Sequence, residues 1–161
     1  MQTAIGRAGV IAATFVPALM LTAMPLPEWA VAWRPLWVAM VLVYWCLAIP
    51  ESVGIGVACG MGLLLDALVS SPLGQNALAL SVVAFVAVAN HQRIRLFPLG
   101  QQALIVGLLM LLYLATIFVL RALLGHNPDP IGHWFAALSS MVLWPWLFVI
   151  LRDVRRRAQL G

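Results

Sequence analysis

Cut at its charges, prolines and polar clusters, the sequence falls into six apolar segments, roughly 8–24, 35–49, 52–69, 73–90, 101–124 and 133–151. A bilayer core takes about 20 apolar helical residues, within a range of about 17 to 25. The first, third, fourth, fifth and sixth segments fit that length. The second is shorter, and only Pro50 and Glu51 separate it from the third. Residues 35–69 therefore form either a tight helical hairpin or one span with a re-entrant piece. The hairpin is favoured, because proline stops a helix and Glu51 marks a polar turn. The chain has too little polar sequence to hide these segments from water. It is 64% hydrophobic and 9% charged, with a mean hydropathy of +1.03; an average soluble domain is about 25% charged. The predicted fold is all-α: a polytopic membrane bundle of six transmembrane helices, forming a single integral membrane domain over residues 1–161.

Arginines set the direction. The net charge of +4 rests on nine arginines and no lysine. In a soluble chain that balance would suggest nucleic acid; scattered among apolar spans, it is a topology signal, and no nucleic-acid partner is expected. With the N-terminus in the cytoplasm, the inner side holds Arg7, Arg93, Arg95, Arg152, Arg155, Arg156 and Arg157, and the outer side only Arg34 and Arg121. The positive-inside rule thus predicts a multi-pass protein with both termini cytoplasmic. Losing one span would put the basic tail on the wrong side. The first segment is read as a span rather than a cleaved signal, since it is long for an h-region and no clear A-x-A site follows. Trp29, Trp33 and Trp37 are expected near the outer interface, and Trp45, Trp144 and Trp146 near the inner one.

Within the third segment lies a carboxylate, Asp66. Gly54, Ala58, Gly62 and Asp66 are spaced by four and share one helical face; Gly56 and Gly60 form a GxxxG nearly opposite. Small residues let helix backbones approach closely in lipid. The third span is therefore expected to be a central helix packed on two sides, with Asp66 on a packed face near its outer end. An aspartate at a helix centre costs about 2.5–3.5 kcal/mol on insertion scales, while each Leu, Ile or Val returns about 0.3–0.6. A lipid-facing Asp66 at full depth would leave this span barely insertable. Its candidate partners are backbone N–H groups of the 70–75 turn, including Gly74, with Asn76 opening the next helix, or the outer arginines Arg34 and Arg121. Two roles stay open: a tie for the outer loop, or a site for a ligand, proton or protein partner.

No catalytic constellation is present in the sequence. There is no HExxH and no phosphate loop, and His91, His126 and His133 lack metal-ligand spacing. His126 and Asp129 share a proline-rich turn better suited to a tight loop than to a metal. Ser139 and Ser140 have no evident base. Cys46 and Cys59, in apolar segments without CxxC spacing, are read as small buried hydrophobes. A non-enzymatic protein without cofactor or metal is expected. In the tail, Arg152, Arg155, Arg156 and Arg157 would each contribute about 1 kcal/mol toward anionic lipid headgroups, or would dock an acidic cytoplasmic partner.

Residues 34–80 resemble the core of the rod shape-determining protein MreD family. The likeness lies in Arg34-Pro35-x-Trp37, the Tyr44-Trp45 pair, Pro50, the Gly62-Leu63-x-x-Asp66 stretch, and Leu73-Gly74 with Ala77. The basic stretch RIRLFPLGQQALIV, with Gln101 and Gln102, is similar to the proteobacterial branch. One departure is Phe85, where many relatives carry tyrosine. The resemblance implies a non-enzymatic inner-membrane component of the bacterial elongation machinery. It would act in cell shape and peptidoglycan synthesis beside MreC, the MreB filament, RodA and its partner transpeptidase. It further implies an architecture like the S-components of energy-coupling-factor transporters. An alternative reading then makes the chain a small-molecule or lipid-binding protein, with Asp66 in an outward-facing pocket.

Overall fold

A computed structural model describes residues 2–24, 27, 36–51, 53–68, 74–125 and 134–157. Seven helices occur among them: α1 (Gln2–Ala23), α2 (Trp37–Ala48), α3 (Ile55–Leu68), α4 (Gln75–Ala89), α5 (His91–Leu96), α6 (Leu99–Leu123) and α7 (Trp134–Arg157). The all-helical expectation holds. Three of them, Ile5–Ala23, Leu99–Leu123 and Trp134–Arg157, are long and apolar enough to cross a membrane. Helices α2, α3 and α4 are apolar but shorter, at 12, 14 and 15 residues. At about 1.5 Å per residue, the longest of these three covers about 22 Å of a hydrocarbon core about 30 Å thick.

Local chemistry sets the boundaries. Helix α2 stops two residues before Pro50, whose ring disfavours helical backbone at the preceding position. Gly74, at φ 95°, opens α4 in the left-handed region that a side chain rarely adopts. Gly125, at φ 80°, follows the end of α6 in the same region. The basic segment expected as a plain inner loop contains a helix of its own, α5. It is separated from α4 by Asn90 and closed by an extended Phe97 before Pro98.

The core is built around α2. Every residue from Val38 to Leu47 is buried, so the shortest apolar span lies inside the bundle with helices on all sides. It packs against α1, α4, α5, α6 and α7. Helix α4 also packs on α6, and α6 on α7. Helix α3 makes its extensive contact with α4 alone. This corrects the expectation of a central third span: α2 holds the centre, and α3 lies at the edge. Gly62 allows the approach to α4, since a Cβ there would collide with the backbone of Asn76 and Ala77. Ala58 is fully buried on the same face. Gly54 meets only the Pro50 carbonyl oxygen, at 3.9 Å. Gly56 and Gly60 are exposed, with nothing within 4 Å of a Cβ at either position, so the second small-residue face is open among the described residues.

Two tryptophans expected at the inner interface belong to the core instead. Trp45 and Trp144 are completely buried. The Trp45 indole N–H donates to Thr14 Oγ1 of α1 at 2.8 Å, and that of Trp144 to Gln102 Oε1 of α6 at 3.3 Å. An internal acceptor removes the need for the headgroup region that otherwise attracts tryptophan. Trp146 does face outward, as do Leu63, Leu64, Phe85, Leu104, Leu108 and Val142. So much exposed apolar surface suits a lipid surround. Cys46 is buried as expected, whereas Cys59 is exposed on the open face of α3.

Candidate functional site

Asp66 is 1% exposed, in the last turn of α3. The chain returns into α4 at Gly74, so the first residues of α4 lie beside this turn. Asp66 Oδ2 accepts from the Gly74 N–H at 2.9 Å. Its Oδ1 accepts from the Asn76 backbone N–H at 3.0 Å and from the Asn76 carboxamide at 2.8 Å. The carboxylate serves the start of α4 as a capping side chain would, though it comes from the preceding helix. The Asn76 carbonyl oxygen in turn accepts from the Tyr113 hydroxyl of α6. The donors run in one direction, from phenol to carboxamide to carboxylate. Both Asp66 and Asn76 have further interactions besides these.

The cluster joins α3, α4 and α6 at one end of the bundle. Of the partners considered from sequence, Asp66 meets the backbone N–H of Gly74 and, two residues on, Asn76. Arg121 is partly exposed in the last turn of α6. Arg34 lies outside the described residues, as do Trp29, Trp33, His126, Asp129, His133 and residues 69–73. Sequence reasoning missed Tyr113; the available signal was a lone phenol in an otherwise apolar span. Chemically the arrangement is a clamp. The buried carboxylate holds three N–H donors at the start of α4.

The opposite end holds a second polar group. Gln102, near the start of α6, accepts from Trp144 and donates to the Ile94 carbonyl of α5 at 3.3 Å, so one side chain links α5, α6 and α7. Ser140 of α7 accepts from the Leu36 N–H at 2.9 Å and donates to the Ala136 carbonyl. Its hydroxyl thus bonds one turn back within its own helix. Arg152 lies over the Phe148 ring at 6.0 Å. Arg156 and Arg157 are exposed, and Arg155 is half-buried. Among the described residues no group of three His, Cys, Asp or Glu side chains is arranged to hold a metal ion.

Apolar helices held together by buried polar clamps define a helical integral membrane protein. The family model for the rod shape-determining protein MreD matches residues 3–154. A rod shape-determining protein MreD from Haemophilus influenzae is 36% identical over 149 residues, covering 91% of this chain and 90% of that protein. The chain belongs to the MreD family, whose role is rod-shape determination. No solved structure matches it.

Proposed function

We propose that this chain is a non-enzymatic scaffold of the bacterial inner membrane, acting in cell elongation and peptidoglycan synthesis beside an MreC-like membrane protein. RodA, its transpeptidase and the MreB filament would be reached directly or through that partner. In this reading all six apolar segments cross the bilayer, with both termini in the cytoplasm, as the arginine distribution favours. The shorter helices would be accommodated by local thinning of the bilayer or by packing.

One observation carries the proposal: the open face of α3. Gly56 and Gly60 form a small-residue stripe on α3, where none of the described helices approaches. Such stripes serve close helix–helix approach in lipid, and a partner's transmembrane helix is the occupant that fits. Both positions are exposed and an added Cβ meets no described residue there, so the fold of G56L/G60L should survive while the surface is blocked. Co-purification with the MreC-like partner is expected to fall sharply for that double variant at wild-type expression. Unchanged recovery would remove this face from the interface.

A further inference from the structure

At the end of the bundle opposite Asp66, Tyr44, Leu47 and Ala48 of α2, Arg95 of α5, Gln102 of α6, and Phe148 and Arg155 of α7 line a half-open cavity of about 210 Å³. Two guanidinium groups from different helices line this small space. Neither forms an ion pair among the described residues. The third polar group of interest is the Tyr44 hydroxyl. Tyr44 is 2% exposed, and its hydroxyl is buried without a hydrogen-bond partner. Buried hydroxyls are nearly always paired. The other polar side chain in the wall is already engaged, since the Gln102 carboxamide is held at both ends by Ile94 and Trp144. Gln102 therefore shapes the wall, and the two arginines and the phenol are left as donors.

We propose that Arg95, Arg155 and Tyr44 form a binding site for a phosphate group at this end of the bundle. Three donors from three separate helices surround the cavity, and a tetrahedral phosphate offers oxygens in several directions where a carboxylate offers two in one plane. Arginine is the cation suited to such multi-point contact. Basic pockets between membrane helices on the cytoplasmic side hold phospholipid headgroups, and the neighbouring Arg93, Arg152, Arg156 and Arg157 raise the local concentration of anions. The phosphate belongs either to an anionic phospholipid or to a soluble phosphate compound. The site differs from general attraction by the tail, because it needs Arg95, far away in sequence, and the phenol.

Native mass spectrometry of the full chain in neutral detergent, titrated with phosphatidylglycerol against phosphatidylcholine, tests the lipid source. Thermal stabilisation by inorganic phosphate, against chloride at equal ionic strength, tests the soluble one. Preferential retention of phosphatidylglycerol, or specific stabilisation by phosphate, is expected. R95Q/R155Q should weaken it by about tenfold or more, at the strength of hydrogen bonds to charged groups. R156Q/R157Q, which removes the same charge outside the cavity, should change it less than about threefold. Tyr44→Phe keeps the ring against Trp45 and Phe148 and should weaken binding about three- to tenfold without unfolding. It therefore tests the site even if the double arginine variant fails to fold. Equal losses in both arginine pairs, an unchanged Y44F, no binding of either probe, or selective binding of a poly-glutamate peptide instead would each overturn the proposal.

Discussion

At Asp66 a single side chain satisfies three N–H groups at the start of the next helix. Removing it orphans buried donors, each at a penalty of about 1–3 kcal/mol. Asp66→Ala is therefore expected to lower stability by about 3 kcal/mol or more, read as thermal unfolding in detergent. Asp66→Asn should fall between that variant and wild type. It keeps one acceptor, but its amide nitrogen must face a donor. The glycines separate in the same assay. Gly62→Ala drives a methyl group into the backbone of α4 and should cost about 1–3 kcal/mol. Gly60→Ala meets nothing and should gain up to about 1 kcal/mol from helix propensity. Glycines two residues apart on one helix thus carry opposite expectations, and neighbouring atoms alone make the difference.

Between elements, the bundle is held by close backbone approach on one side and by buried aromatic groups on the other. The α6–α7 contact runs through Gly107, where an added Cβ would meet the Met141 sulfur at 2.9 Å. A methionine side chain can turn aside where a backbone cannot. Gly107→Ala is accordingly expected to cost less than about 1 kcal/mol, below Gly62→Ala in the same unfolding series. Around α2 the aromatic rings are mutually engaged: Tyr44 meets Trp45 and Phe148 edge-on, with centroids 5.3 Å and 5.6 Å apart. The indole N–H groups of Trp45 and Trp144 each have an acceptor on another helix. These bonds fix α1 against α2 and α6 against α7, which apolar contact alone would leave free to slide.

For the molecule as a whole, polar groups are concentrated at the two ends, and α6 bridges them with Gln102 near its start and Tyr113 further along. The two cysteines report on this organisation. A lipid-soluble maleimide should label Cys59 and leave Cys46 unmodified in the folded protein. Labelling at Cys59 should drop when the partner proposed for the Gly56–Gly60 face is bound. Topology is checked by terminal fusions: green fluorescent protein should fluoresce at either end, and alkaline phosphatase should be inactive at both. An active phosphatase at one terminus would indicate an odd number of crossings.

The helical membrane class and the places where helices break were legible from the chain alone. Apolar length, proline and charge act locally, through desolvation and backbone sterics. Asp66 was legible as a buried polar position for the same reason: its expense in lipid shows against its neighbours. The occupant of the centre was decided by tertiary structure. Segments α2 and α3 are both apolar and short, and the difference between core and edge depends on which surfaces meet. Trp45 and Trp144 read as interface anchors because an indole N–H seeks an acceptor; the acceptors sit on Thr14 and Gln102, on other helices. The same holds for Tyr113 behind Asn76 and for Arg95 beside Arg155. Groups far apart in sequence acquire a shared chemistry only once packing has brought their helices together.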